Sequence, residues 1–326
     1  MIIAKAPFRI SFVGGGSDLP SFYKKYGGAV LSTSINKYVY ILIKDRFEET
    51  IRCSYSKTEI VKSVKELEHD LVRNALTDLD ITKSLEIVSS ADIPSSGTGL
   101  GSSSSFSVAL YNALFAYLGK RIKPKELAER ACRLEIELVG SPIGKQDQYA
   151  AAFGGLNFYK FNTDDTVTIN PIKVKSDFYE KLNKSLISFY IGGKRDANKI
   201  LSSQSDNLNE KKNVNTLKRM VELAWALKEE FENSNLDNFG TILNENWNLK
   251  KTLENDISNN KVDDIYNECI NLGATGGKLL GAGGGGFMIF IVPNEDIKNR
   301  IRTKLSSLRE VVFNLTNEGS QIVYED

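Results

Sequence analysis

The chain of 326 residues has one histidine, three cysteines and no apolar run that approaches the length of a membrane span. Each shortage excludes something. The histidine, His69, lies in the polar stretch Lys65–Asp70, where a solvated helix residue is the plainest reading, so any chemistry here must work without a histidine base. Cys53, Cys132 and Cys269 are odd in number, far apart and form no CxxC pair, which excludes a disulfide framework and fits free thiols in a reducing cytosol. The opening Met1-Ile-Ile-Ala reads as strand and lacks the basic and apolar regions of a secretory leader. With 42 Lys and Arg against 41 Asp and Glu the net charge is +1, so the chain carries neither a nucleic-acid footprint nor a membrane-surface charge. A cytoplasmic protein without nucleic-acid or membrane partners is expected, and the composition leaves room for a homo-oligomer.

Glycine and serine are abundant at one place. The run Pro94-Ser-Ser-Gly-Thr-Gly-Leu-Gly-Ser-Ser-Ser-Ser105 precedes apolar residues at helical spacing from Phe106 to Leu118. A glycine-rich turn feeding a helix N-terminus aims unpaired N–H groups and the positive end of the helix dipole at one point, a cradle for phosphate. It is no Walker A loop, because the nearest imitation, Gly277-Lys278, continues with Leu279. Nor is it the dinucleotide fingerprint, since Gly97, Gly99 and Gly101 have the wrong spacing. A flexible linker has similar composition, but an apolar helix follows here without a break.

The length points to two domains. Strands are expected in 2–13 (one strand, or a pair broken near Pro7), 29–34, 38–43, 84–89 and 154–159. Helices are expected over 61–79, 103–118, 124–138 and from 144–147 to 152. The polar stretch 162–184 separates a second half. There a strand at 185–191 precedes a long helix with Leu217, Met220, Val221, Ala224, Trp225 and Phe231 on one face. Helices around 239–253 and 262–272, a strand at 287–292, a helix at 297–308 and closing strands at 310–313 and 321–324 complete an α+β pattern. The boundaries read as 1–175 and 176–326.

Three further segments carry chemistry-bearing residues. Gly14-Gly15-Gly16-Ser17-Asp18 ends the first strand, with Arg9 upstream on the side opposite Phe8 and Ile10. Gly276–Gly286 holds seven glycines beside an apolar strand, which implies a backbone packed tightly on a neighbour or a ligand. Arg133–Gln148 sets Glu135 and Glu137 late in one helix and Asp147 at the start of the next, where the dipole favours a carboxylate.

In this order the four segments resemble the GHMP kinases over essentially the whole chain. Pro94–Ser104 is similar to that family's Pro-x-x-x-Gly-Leu-Gly-Ser-Ser loop, Ala6–Asp18 to its N-terminal motif with Phe8 where many members have glycine, and Gly276–Gly286 to its C-terminal motif. Gly144-Lys-Gln-Asp147-Gln148 matches the segment with the catalytic aspartate of sugar-kinase members. The forms Gly-Gly-Gly-Ser-Asp-Leu-Pro and Gly-Lys-Gln-Asp-Gln-Tyr are similar to the heptose 7-phosphate kinase branch, near the fucokinase type.

The resemblance implies a ribosomal-protein-S5-domain-2-like N-terminal domain, a ferredoxin-like C-terminal domain and an active site between them. It implies ATP held by Pro94, Ser96, Gly97, Gly99, Leu100, Gly101, Ser102, Ser103 and Ser104, with Mg2+ shared by Ser103 and Glu135, or Glu137 if the register slips. Asp147 would take or orient the proton of the attacking hydroxyl, and Arg9 would offset charge on the transferred group. Gly14, Gly15, Gly16, Ser17, Asp18, Gly283 and Gly284 would line the sugar site. An acceptor that already carries phosphate needs a cationic anchor, for which Lys194 and Arg195 on a glycine turn are candidates, although a solvated basic turn explains them as well. The implied activity is transfer from ATP to the anomeric oxygen of a heptose 7-phosphate, feeding nucleotide-activated heptose for surface polysaccharide. Alternatives are a fucokinase-like 1-kinase, a silent sugar sensor or a phosphate-binding structural domain.

Overall fold

Alternating apolar residues make β1 (Ile2–Val13) a single strand that passes through Pro7, and β2 (Gly28–Asp45) pairs with it antiparallel along most of its length. Pro7 removes one ladder N–H, and the chain answers with register shifts between Pro7 and Arg9 and between Ser11 and Val13 rather than with a turn. The strands expected at 29–34 and 38–43 are both parts of β2. The computed structural model describes residues 1–82, 84–94, 97–193, 197–206 and 211–326.

The first sheet runs β12 (Gln321–Glu325), β1, β2, β5 (Leu85–Ala91), β3 (Ile51–Ser54), β4 (Thr58–Val61). β6 (Leu156–Phe161) extends it from the first half of β2, and β7 (Val167–Pro171) pairs with β6. Its helices are α1 (Pro20–Tyr26), α2 (Asp70–Asp78), α3 (Ser102–Tyr117), α4 (Pro124–Cys132) and α5 (Gln146–Phe153). α3 is buried on nearly every side, and its buried serines are bonded inward: Ser105 Oγ donates to the Pro7 carbonyl at 2.8 Å and Ser107 Oγ to that of Ser103 at 3.1 Å.

The second sheet has the order β11 (Arg309–Glu310), β8 (Leu186–Gly192), β10 (Gly286–Ile291), β9 (Gly276–Leu279), all antiparallel. Around it lie α6 (Phe178–Ser185), α7 (Ala197–Asp206), α8 (Lys211–Glu232), α9 (Phe239–Lys251), α10 (Asn260–Asn271) and α11 (Glu295–Lys304). One apolar core fills the first sheet and continues into α8 and α9, where Phe12 meets Phe239 edge-on at 5.1 Å. A second core, with Trp247, Leu279 and Phe290, lies under the smaller sheet. Lys278 on β9 joins the two halves, donating to the Ser11 and Phe12 carbonyls at 2.8 Å each. The line between 175 and 176 falls between β7 and α6, and β12 crosses back to the first sheet.

Several expectations are corrected. The helix expected over 61–79 begins only at Asp70; β4 and a single 3₁₀ turn at Val64–Glu66 occupy its first part, because Val64 and Leu67 are buried from a loop rather than from a helix face. His69 precedes α2 as a half-buried ring, 4.6 Å from the Tyr55 ring and stacked on Phe106 at 4.9 Å, not as a solvated helix residue. Trp225 is exposed beside Phe158; Leu223 and Leu227 complete the buried face of α8 instead. The closing strands part company, β11 joining the second sheet and β12 the first. The three cysteines are free and buried.

Candidate active site

A cleft of about 400 Å³ opens where the two sheets meet. β1 brings Arg9 to its floor. The Arg9 guanidinium holds Asp147 with two parallel bonds, Nε to Oδ1 at 2.7 Å and Nη2 to Oδ2 at 2.6 Å, and its Nη1 donates to the Gly99 carbonyl at 2.7 Å. The Arg9 backbone N–H donates to the Leu100 carbonyl at 3.0 Å, so one residue fastens both α5 and the glycine loop to β1. Asp147 stands in the first turn of α5, where the helix dipole favours it.

The loop 97–101 ends at Gly101, which precedes α3 in the left-handed region (φ 79) with no side-chain cap, leaving the first N–H groups of α3 for a ligand. Hydroxyls of Thr98 and Ser102, 3.0 Å apart, brace the loop from below. Its outer wall is the second glycine cluster: a Cβ on Gly99 would overlap the Leu280 carbonyl, and one on Gly281 would overlap the Gly99 backbone.

Between α4 and α5 the helix widens into one π-helical stretch, Arg133–Leu138. It turns Glu135 inward, 1% exposed, and leaves Glu137 outside beside Arg133. Ser103 Oγ donates to Glu135 Oε1 at 2.5 Å and Gln148 Nε2 to Oε2 at 2.6 Å. Burial nevertheless pushes the Glu135 carboxyl up to about 7, against the bonds from Ser103, Ser104 and Gln148. One carboxylate and one hydroxyl are hard oxygen donors beside a phosphate cradle, a set that fits magnesium completed by phosphate oxygens and water.

Asp18, 3% exposed, accepts from the Gly16 N–H at 2.9 Å and from the Gln146 N–H at 3.2 Å, with the Gln146 side-chain amide at 3.3 Å. Burial and then the neighbouring Asp147 charge raise its pKa. Gly15 and Gly16 line the cleft with it. Ser11 Oγ, Gln146 Oε1 and Gln204 Nε2 are buried polar atoms of the same wall with no partner among the described residues.

The remaining expected residues lie elsewhere. Gly14 and Ser17 are bonded to the protein, Gly14 N–H to Asn246 Oδ1 at 3.1 Å and Ser17 Oγ to the Ala29 carbonyl at 3.1 Å, so they support the turn rather than line the cleft. Pro94 is exposed outside the cleft, and the Leu100 side chain is core. Gly283 and Gly284 do not reach the cleft: the chain turns after Ala282 onto Ile257, whose carbonyl accepts the Gly284 N–H at 3.0 Å. Ser96, Lys194 and Arg195 lie outside the described residues.

Two lysines of the cleft had no distinctive sequence signal. Lys278 hides in the glycine run, and burial drives its pKa well down, helped by Lys250 and Arg9. Lys250, 6% exposed, reads in sequence as an ordinary basic residue at a helix end.

A family model described as the GHMP kinases N terminal domain matches residues 58–155, and one described as GHMP kinases C terminal matches 223–309. D-glycero-alpha-D-manno-heptose 7-phosphate kinase of Campylobacter jejuni is 30% identical over 98% of this chain and 97% of its own length. The bifunctional fucokinase/GDP-fucose pyrophosphorylase of Arabidopsis thaliana is 27% identical over 93% of this chain, which spans 31% of that protein. A solved D-glycero-D-manno-heptose 1-phosphate kinase from Bacteroides thetaiotaomicron superposes over the full length of both chains, with a TM-score of 0.81 at 26% identity. The chain therefore belongs to the GHMP kinases and is a sugar-kinase-type phosphotransferase with their two-domain fold.

Proposed function

We propose that the chain transfers the terminal phosphoryl group of ATP to the anomeric oxygen of D-glycero-D-manno-heptose 7-phosphate, forming the 1,7-bisphosphate and ADP. The observation that carries this reading is the Arg9–Asp147 pair, set between the glycine loop and the Asp18 pocket. Each Asp147 oxygen that accepts from Arg9 keeps a second lone pair. One of these accepts the proton of the anomeric hydroxyl, which is more acidic than an ordinary alcohol, as its oxygen bonds to phosphorus and the bond to ADP breaks. Arg9 offsets charge on the group in transfer. Asp18, with Gln146, Gln204 and Ser11, meets the sugar hydroxyls. Ser103 and Glu135 would hold Mg2+, which would supply charge neutralisation on the phosphates. The nucleotide part is residues 1–175 and the C-terminal part 176–326, with β12 returning to the first sheet.

The Campylobacter relative supports the acceptor, and its likeness extends over nearly the whole chain. A fucokinase-type 1-kinase is supported by the Arabidopsis relative at lower identity. A silent sensor is disfavoured, because Asp147, Glu135 and Ser102–Ser104 are all present, with Asp147 held by Arg9 and Glu135 by Ser103. Among the described residues no helix is long and apolar enough to cross a membrane, and we place the enzyme in the cytoplasm, feeding nucleotide-activated heptose to surface polysaccharide. ADP release measured over hexoses, heptoses and their phosphates, with phosphorus NMR of the product, tests the reading. Preference for an unphosphorylated sugar, or phosphate appearing away from O1, would overturn it.

A further inference from the structure

Lys250 lies in the last turn of α9 and points into the cleft, while Lys251, one position on, faces outward to Asp263 and the Trp247 ring. Close packing of α9 on β9 brings it there: a Cβ on Gly276 would overlap the Gly240 carbonyl, so the helix rests directly on the strand. The Lys250 ammonium donates to the Gly281 carbonyl and makes no ion pair among the described residues. Gly281 is the residue packed on Gly99 of the nucleotide loop. Cations at a helix C-terminus are ordinarily explained by the dipole, but that effect needs no burial, and Lys251 serves it from outside. An ammonium withdrawn from water with only a carbonyl as partner is costly unless an anion comes to it. Burial and the adjacent Arg9 charge already push its pKa down to about 8.

We propose that Lys250 is a catalytic residue that binds the phosphoryl group in transfer, in concert with Arg9. One of its N–H groups keeps donating to the Gly281 carbonyl and the other two donate to phosphoryl oxygens. The inference rests on the kinase reading above and adds a residue from the C-terminal half to the reacting centre.

The test compares the wild-type chain with Lys250→Met, whose side chain has similar length and no charge. A group that meets the terminal phosphoryl should lower kcat by 100-fold or more and weaken binding of a non-hydrolysable ATP analogue about tenfold, with ADP affinity unchanged. Lys250→Ala should recover part of its activity with added methylammonium, which a packing role would not permit. Weaker binding of the phosphorylated sugar alone would instead assign Lys250 to the acceptor's own phosphate and overturn the proposal. Folded Met and Ala variants with near-normal kcat would overturn it too. A wild-type chain that does not bind ATP would remove the kinase reading itself, a failure recognisable before any variant is made.

Discussion

Gly99 and Gly281 meet backbone to backbone, so the glycine loop of one half is seated on the glycine run of the other. Neither position has room for a Cβ. The contact accounts for glycine at position 281: the cluster admits a neighbouring chain segment there, while Gly281 and Ala282 also line the cleft.

Gly281→Ala tests that contact against a control. Gly281 and Gly119 share a left-handed backbone, φ 76 and 69, but nothing lies within 4 Å of a Cβ built on Gly119. Gly119→Ala should therefore cost about 1 kcal/mol from backbone strain alone and leave ATP affinity unchanged. Gly281→Ala should cost about 2–4 kcal/mol and weaken ATP binding at least tenfold, because the loop must move. Calorimetric titration and chemical unfolding of both variants check this; equal effects would remove the interlock.

The parts of the site borne on local motifs were legible in the sequence. Asp18 and Asp147 each follow glycines by two or three residues, Arg9 lies on the strand that leads into Gly14–Gly16, and all three line one cleft. The choice of Glu135 over Glu137 depended on register, and its physical cause, a π-helical widening, leaves no mark in apolar spacing. Gly283 and Gly284 were misjudged because a glycine run does not say whether backbone or ligand fills the space. Lys250 was invisible, since its burial follows from the approach of α9 to β9, a tertiary fact. The short strands β3 and β4 were missed for the same kind of reason: the charges in and beside them (Arg52, Lys57, Glu59, Lys62) do not distinguish a strand from a polar loop or a helix face.

Asp147→Asn should reduce kcat about 1000-fold or more while ATP affinity stays within a few-fold of wild type. The amide keeps the shape and one acceptor oxygen for Arg9 but cannot take the hydroxyl proton. Single-turnover phosphoryl transfer and equilibrium ATP binding, measured on the same preparation, separate the two effects. Turnover near the wild-type rate would refute the role given to Asp147.

Glu135→Gln should raise the Mg2+ concentration needed for half-maximal activity at least tenfold, with metal-free ATP binding unchanged or tighter once a buried negative charge is gone. Glu137→Gln, on the outer face of the same turn, should alter neither. Magnesium titrations of activity and of ATP binding distinguish them, and identical behaviour of the two variants would show that Glu135 is not the ligand.

The buried ammonium of Lys250 predicts an unusual alkaline response in the ligand-free protein. Its pKa falls from 10.5 unfolded to about 8 folded, by burial first and the Arg9 charge second, while Asp18 and Asp147 act the other way. Lys278, on the strand beneath α9, is also pushed down. Between those values the unfolded chain holds a proton that the folded chain has released, so stability rises with pH through this window. Below about 8 both states are protonated and the full cost of the buried charge remains. At about 1.4 kcal/mol per pH unit the Lys250 contribution over the window is about 3 to 4 kcal/mol. Lys250→Met abolishes this term, so the stability advantage of the variant over wild type should be largest and nearly constant up to about pH 8 and shrink from there towards pH 10. Urea unfolding of both proteins at pH 7, 8, 9 and 10 measures the gap. A gap that does not change with pH would mean that the Lys250 ammonium is solvated, and that its proton is not held by the geometry of α9 on β9.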